Sequence, residues 1–160
     1  MIVWSSSIAI HRPPEIVFDF LANIQDVQQA EGSPVLALDL ITAGPPRLGS
    51  RYREVVKMAP FFKGEILSEI TAFEPPRVLK MTWQGPGMAG FDRYELEAVQ
   101  DGTTLNHKKC TSCIGILRII EPLMRRPLIP RLEQRLVDIK HLLEESANPK
   151  LSETFKRGEL

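Results

Sequence analysis

Apolar residues in the last third of the chain recur with helical spacing. Within residues 128–145 these apolar positions lie three or four residues apart, and they are Leu132, Leu136, Ile139, Leu142 and Leu143. Charged residues fill the other side, so the pattern predicts an amphipathic helix about 27 Å long whose apolar side needs a large partner. Prolines at 122, 127 and 130 predict that the helical region is broken or kinked before this regular part.

The first thirty residues predict a strand followed by two short helices. Apolar and polar residues alternate over 4–11, which is typical of a strand. Pro13 and Pro14 suit the first turn of a helix, and a second helix is predicted over 26–31, ended by Gly32. The buried stripe of this helical region is predicted to be Ile16, Phe20, Leu21 and Ile24.

From Val35 onward the hydrophobic period is two. Strands are predicted over 35–42, 50–58, 64–73, 77–84, 90–100 and 103–111. Short connections rich in Gly, Pro and Asp favour an antiparallel meander. The predicted fold class is therefore α+β, with a seven-stranded antiparallel curved sheet wrapped on the long C-terminal helix and two short helices between strands 1 and 2.

A hairpin at Asp101 and Gly102 predicts which side chains share a face. Pairing Gln100 with Thr103 places Leu96 opposite His107, Tyr94 opposite Lys109 and Asp92 opposite Thr111 on one face, and Glu95 opposite Lys108 and Glu97 opposite Asn106 on the other. The first face also carries Ala98 and Leu105, so it is predicted to face the helix. The second is predicted to face water.

Composition excludes several classes of protein. The length of 160 residues predicts one domain over 1–146, and the aperiodic polar segment 147–160 is predicted to be a flexible tail. Lys plus Arg equals Asp plus Glu at 20 each, so no basic field indicates nucleic-acid binding. The first ten residues lack a basic leader region and no apolar run reaches about 18 residues, which predicts a cytoplasmic protein without a transmembrane segment.

Four short motifs give the chain a resemblance to a known superfamily. They are Pro13-Pro14-Glu15-Ile16-Val17-Phe18, Leu48-Gly49-Ser50-Arg51-Tyr52, Ile70-Thr71-Ala72-Phe73-Glu74-Pro75-Pro76-Arg77 and Asp101-Gly102-Thr103-Thr104-Leu105. With the predicted order of elements, residues 3–145 resemble the START/polyketide-cyclase superfamily, whose helix-grip fold is shared with the birch-pollen allergen. The resemblance implies a cavity for apolar or aromatic molecules such as lipids, sterols and polyketides. Some relatives are carriers, some are cyclases or dehydratases and some are interaction modules.

The geometry of one helix on a curved sheet independently predicts a cavity of roughly a few hundred Å³. Its wall and polar lining are predicted to be Tyr52, Glu54, Met81, Trp83, Asp92, Tyr94, Leu96, His107, Lys109, Leu132, Leu136 and Ile139. Alternate connections of a meander share one end of the sheet, and those over 58–64 and 84–90 contain large apolar residues, namely Met58, Phe61, Phe62 and Met88. This end is predicted to hold the mouth. The alternative is that these side chains fold back and close the core.

Two inward residues have the chemistry of an acid and a base. His107 and Tyr94 in an enclosed apolar site are the candidates for enolisation or dehydration. The competing interpretation is that they are satisfied core residues, and that Lys109 neutralises Asp92 or Glu54.

Cys110 and Cys113 have redox spacing but lie at a strand end, without a second pair or suitably spaced histidines. We therefore expect neither metal nor cofactor. The favoured hypothesis is a protein that binds a small apolar or aromatic molecule as a carrier or sensor or to sequester it. A metal-free cyclase or dehydratase is the alternative, and a co-chaperone-like or ribosome-associated interaction module is the second. A homodimer is compatible with the sequence.

Overall fold

A computed structural model describes residues 1–28, 35–59, 62–119 and 121–145. The elements in chain order are β1 (Ile2–Ile10), α1 (Pro14–Ala22), α2 (Ile24–Gln28), β2 (Val35–Leu40), β3 (Arg51–Ala59), β4 (Phe62–Glu74), β5 (Val78–Gly85), β6 (Met88–Val99), β7 (Gly102–Cys113) and α3 (Glu121–Glu145). A short 3-10 helix, Gly115–Ile119, precedes α3. The predicted tail over 147–160 lies outside the described residues.

All seven strands form one antiparallel sheet in the order β1-β7-β6-β5-β4-β3-β2. Strands β2 to β7 pair with their neighbours in sequence, as a meander does, and β1 pairs with β7. The predicted strand ends differ from the observed ones by at most two residues. With two short helices after β1 and the long α3, the prediction of an α+β helix-grip fold is confirmed.

The hairpin between β6 and β7 has a different register from the predicted one. Val99 pairs with Gly102, so Tyr94 lies opposite His107 and Asp92 opposite Lys109. The predicted pairing of Gln100 with Thr103 is wrong by two residues because Gln100 and Asp101 form the turn. Neither of these has a positive φ, whereas Gly102 does at 143° and begins β7. Hairpins of this kind have ordinary turn residues, here Gln100 and Asp101, followed by a glycine with a positive φ, here Gly102.

A shift of two residues leaves every side chain on its predicted face, because the side-chain period of a strand is two. Leu96 and His107 are buried on the inner face, which is the face toward α3. Lys108 is exposed and Glu95 is about half exposed on the outer face. The predicted faces are therefore confirmed although the predicted partners are not.

Helix α1 closes one end of the inner face, near β5, β6 and β7. Pro14 occupies its first turn as predicted, but its buried residues are Val17, Phe18, Leu21 and Ala22. The predicted stripe is wrong at Ile16, which is exposed, and at Phe20, which is only partly buried. Both sets have helical spacing and share Leu21, so the spacing alone did not distinguish them. The Phe18 ring packs edge-on against Phe73 with centroids 5.2 Å apart, which fixes the orientation of the helix.

Helix α2 spans Ile24–Gln28 and so begins before the predicted residue 26. The predicted end of this helix at Gly32 lies outside the described residues. Ile24 and Val27 are buried and join the same core as α1. The two short helices therefore seal one end of the sheet with apolar side chains.

The helical region was predicted to be broken or kinked at its prolines. Helix α3 is continuous from Glu121 to Glu145, so a break at prolines 127 and 130 is wrong, whereas a kink stays a prediction. Pro122 lies in the first turn, where no backbone hydrogen bond is lost. Residues Leu123 and Arg126, four positions before the two interior prolines, are exposed. Water can therefore hydrate the carbonyl groups that the prolines leave without a helical donor.

The apolar side of α3 is close to the predicted one. Leu132, Leu136, Ile139 and Leu143 are buried, whereas Leu142 is half-buried. Among the strands, α3 lies closest to the edge strand β1. Glu121 contacts the Met1 amino group at one end, and Glu144 accepts a 2.9 Å hydrogen bond from the His11 backbone N–H at the other. The helix therefore runs alongside β1 and in the same direction.

We predict that Leu136→Ala lowers the free energy of unfolding by about 2 to 5 kcal/mol, because it removes a buried side chain from the contact between helix and sheet. Urea unfolding followed by circular dichroism measures this. The matched control is Val137→Ala on the exposed side of the same turn, with an expected change within about 0.5 kcal/mol. Equal effects of the two substitutions would contradict the burial of this helix face.

Candidate functional site

Asp92 is the centre of a polar cluster on the inner face of the sheet. Its Oδ1 accepts a 2.8 Å hydrogen bond from His107 Nε2, and its Oδ2 lies 2.6 Å from Lys109 Nζ. Trp83 Nε1 donates a 3.0 Å hydrogen bond to the same Oδ2. Alternate residues of neighbouring strands point to one side of a sheet, so β5, β6 and β7 bring these four groups together.

The cluster keeps the Asp92 carboxyl ionised. Burial alone would raise its pKa, but the Lys109 ammonium and the His107 hydrogen bond outweigh burial and hold the pKa of Asp92 well below its usual value. Lys109 also lies over the Trp83 ring, with its nitrogen 5.0 Å from the ring centroid. Lys109 and Asp92 are both mostly buried. A buried ion pair is stable only when further hydrogen bonds compensate the loss of hydration, and the contacts from His107 and Trp83 to Asp92 provide them.

His107 is a neutral imidazole with one unused nitrogen. Burial lowers its pKa, although Asp92 opposes that effect. Since the ionised Asp92 can only accept, Nε2 carries the proton and Nδ1 carries a lone pair. Nδ1 is buried, and the described residues offer it no hydrogen-bond partner. Tyr94 stacks on the ring at 4.3 Å between centroids, and Trp4 meets it edge-on at 5.2 Å.

A second acidic group faces the same interior from β3. Glu54 accepts a 3.2 Å hydrogen bond from the Ser68 hydroxyl, and burial raises the pKa of Glu54. The positive charges of Arg135 and Lys109 lower that pKa, and the negative charge of Asp92 raises it. Because Arg135 belongs to α3, the helix and strands β3, β6 and β7 all contribute charge to one interior region.

Apolar predicted residues surround this polar region. They are buried members of one hydrophobic cluster and comprise Tyr52, Met81, Tyr94, Leu96, Leu132, Leu136 and Ile139. Burial raises the pKa of the Tyr94 hydroxyl and Asp92 raises it further, so this hydroxyl stays protonated at neutral pH. Trp83 is half-buried. The interior therefore combines an apolar wall with a few polar groups.

Part of the predicted site lies beyond what the structure describes. Phe61 and the side chains of Met58 and Phe62 fall outside the described residues. Met88 is half-buried at the start of β6. The predicted mouth between 58–64 and 84–90 therefore stays a prediction.

A concavity of about 460 Å³ lies elsewhere, mainly on the outer face of β1, β6 and β7. It is lined by Ser5, Ser6, Ser7, Arg93, Glu95, Asn106, His107 and Lys108. Among these residues, His107 had been predicted for the ligand site. This concavity is polar and lies mainly on the outer face, so it is not the cavity predicted under α3, which stays a prediction.

Four residues near the cluster were missed by the sequence analysis, namely Trp4, Ser68, Gly90 and Arg135. Ser68 lies two residues from both Ile66 and Ile70, so the period of two in a strand could have placed its side chain on the inner face. Arg135 precedes the buried Leu136 and lies beside the apolar stripe. A Cβ at Gly90 would overlap the Cys110 carbonyl and the Trp83 ring. Glycine thus lets the indole approach β6, a contact between strands that spacing within one strand does not show.

Both cysteines are buried, and because they lie three residues apart on β7 their side chains point to opposite faces of the sheet. No group of three or more metal-ligating side chains occurs within the described part of the chain. Nor does any helix described there have the length and apolar character needed to cross a membrane.

Comparison with known proteins places the chain in a family. A family model described as "Polyketide cyclase / dehydrase and lipid transport" matches residues 1–144. The chain belongs to this family. Membership in the polyketide cyclase/dehydrase and lipid transport family supports a fold of the type that binds hydrophobic ligands, and the description of the family names both enzymes and lipid transport. No protein with a curated description matches the chain.

Solved structures similar to this family member share its fold. A conserved protein from Geobacillus kaustophilus has a TM-score of 0.74 at 17% identity, with 91% of this chain and 97% of that chain covered. A protein from Thermus thermophilus, TTHA0849, has a TM-score of 0.73 at 14% identity, with 91% and 99% covered. Ara h 8.0201 has a TM-score of 0.67 at 11% identity, with 89% and 97% covered. At these identities the likeness shows the fold alone.

We predict that His107 makes the protein less stable as the pH falls below its usual pKa of 6.5. Its pKa is lower in the folded state, so the unfolded chain takes up the proton first and gains stability on acidification. His107→Gln keeps a donor for Asp92 without titrating. Thermal unfolding between pH 7.5 and 5.5 should show a smaller loss of Tm for this variant than for the wild type.

The pH range from 5.5 to 7.5 lies above the usual pKa of 3.8 for Asp92, and the pKa is lower still in the folded protein, so Asp92 stays ionised throughout the measurement. Glu54 has a raised pKa and acts in the opposite direction, but it is present in both proteins. Parallel curves of Tm against pH for the two proteins would show that His107 is not buried as a neutral ring.

Proposed function

We propose that this family member binds a small apolar or aromatic molecule, such as a lipid or polyketide, between the inner face of the sheet and α3. The observation that carries the proposal is the polar cluster of Asp92, His107, Lys109 and Trp83 beneath an apolar helix face. The cluster would hold the polar end of the ligand. The apolar wall would cover the rest.

The cost of burying these groups supports a binding role. A packed core needs no ionised carboxylate, and each buried polar group without a partner costs about 1 to 3 kcal/mol. His107 is 4% exposed, and its Nδ1 lone pair has no acceptor role within the described residues. A ligand hydroxyl or N–H group would satisfy it. We therefore propose that the ligand carries a hydrogen-bond donor.

The side chains around the cluster suit a flat apolar body. Trp83 and Met81 share the inner face of β5, and Leu136 of α3 belongs to the same hydrophobic core as Met81. Aromatic faces and a thioether adapt to ligands of several shapes. The ligand class that fits best is an apolar or aromatic molecule bearing one hydroxyl or amine donor.

A metal-free cyclase or dehydratase is the second candidate. The specific observation in its favour is the Asp92–His107 pair, in which the carboxylate fixes the tautomer that leaves Nδ1 unprotonated. Such a nitrogen can remove a proton from a bound ligand. Under this alternative, conversion of a polyketide-like substrate should be lost in His107→Gln while binding persists.

A pair of probes tests the binding proposal. We predict that 1-naphthol binds more tightly than naphthalene, by about tenfold, because only 1-naphthol donates a hydrogen bond to His107 Nδ1. Quenching of tryptophan fluorescence follows the titration. Trp83→Phe separates the signal of Trp83 from that of Trp4.

Three variants sharpen the titration. His107→Phe should remove the preference for 1-naphthol, and Leu136→Trp should weaken binding of both probes by filling the space under α3. Val137→Trp adds the same ring on the exposed side of the helix and should change neither affinity. Absence of binding of either probe to the wild type would show that the interior is a closed core and the proposal wrong.

A further inference from the structure

Large apolar side chains are exposed where β7 leads into α3. Four of them lie within ten residues and have high exposed fractions: Ile114 57%, Ile116 81%, Ile119 78% and Leu123 71%. Single exposed apolar residues are ordinary, but a cluster of isoleucine and leucine on one segment marks an interaction site. We call residues 114–119 and 121–126 the apolar segment.

The apolar segment is also basic. It contains Arg118, Arg125 and Arg126, all exposed, and one acidic residue, Glu121. Three positive charges and one negative charge give +2, whereas the whole chain has a formal net charge of zero. Glu121 is also engaged internally, since it contacts the Met1 amino group and accepts a 3.1 Å hydrogen bond from the Cys113 backbone N–H. The outward charge is therefore that of the arginines.

Contacts with the sheet hold the start of the apolar segment in place. The Ile114 backbone N–H donates a 2.7 Å hydrogen bond to the Gly87 carbonyl. Gly87 has a φ of 72°, and a Cβ there would overlap Leu117. Leu117 is half-buried against this turn while Ile116 and Ile119 point to solvent. The exposed side chains thus belong to a fixed element.

We propose that the apolar segment docks on the surface of an anionic lipid bilayer. Isoleucine and leucine side chains would enter the boundary between headgroups and acyl chains, and the three arginines would contact anionic headgroups. Charge complementarity favours this occupant over a second copy of the chain, because two segments of charge +2 repel one another. Docking requires no ligand and is independent of the proposed function.

The docked orientation has a consequence for the rest of the molecule. The apolar segment lies at the end of the sheet that holds the β5–β6 turn, opposite the end closed by α1. Docking turns this end toward the bilayer. A hydrophobic ligand would then pass between membrane and protein along a short path.

Flotation with lipid vesicles tests the proposal on the full chain. In about 0.1 M salt the protein should float with phosphatidylcholine vesicles containing 30% phosphatidylserine and much less with pure phosphatidylcholine. The triple variant Ile116→Ser, Ile119→Ser, Leu123→Ser should lose binding. Arg125→Gln with Arg126→Gln should bind roughly 30-fold more weakly, because each positive charge near an anionic surface contributes about fivefold in affinity.

The matched control replaces three exposed leucines elsewhere, Leu36→Ser, Leu40→Ser and Leu48→Ser, and should bind as the wild type does. Circular dichroism shows whether each variant keeps its fold. Unchanged flotation of the Ile116, Ile119 and Leu123 variant would overturn the proposal. So would a wild type that does not float but forms a dimer, seen by light scattering, that the same variant abolishes. Absence of flotation together with specific capture of an acidic protein would overturn it as well.

Discussion

The arrangement of the interior depends on where α3 lies over the sheet. Its buried leucines and Ile139 pack on the inner-face side of the sheet, while contacts from Glu121 to Met1 and from Glu144 to His11 hold it alongside the edge strand β1. An α-helix with its side chains is about 10 Å in diameter, so a single helix covers a strip of the sheet about 10 Å wide. The sheet is seven strands wide, about 4.8 Å apart. The inner side chains of β3 to β6 therefore face a region that the helix alone does not fill.

Charged groups in that region explain why the interior is not a simple core. Asp92 is ionised because Lys109 and His107 contact its two oxygens, and this ionised state fixes the tautomer of His107. Tyr94 and Glu54 lie in the same field, and burial raises the pKa of both. The protonation state of each of these groups depends on the charge of its neighbours, so removing one group would change the protonation of the others.

The fold could be predicted from the sequence because a period of two or of 3.6 residues fixes which side chains face inward. That is why Leu96, His107 and Leu136 were placed correctly even though the hairpin register was wrong by two residues. The pairing of Asp92 with Lys109 depends on the turn conformation, in which Gly102 rather than the preceding residues takes a positive φ. Gly90 and Arg135 act through contacts between elements, and a pattern within one element does not reveal such contacts.

The central claim is that the region around Asp92 and His107 is a ligand site. Solvent extraction of the purified protein, followed by mass spectrometry of the extract, tests it most directly. The account predicts a small apolar or aromatic molecule with a hydroxyl or amine group, recovered from the wild type near one equivalent and depleted in Leu136→Trp. An extract without any such molecule, together with a crystal structure in which side chains fill the interior beneath α3, would contradict it.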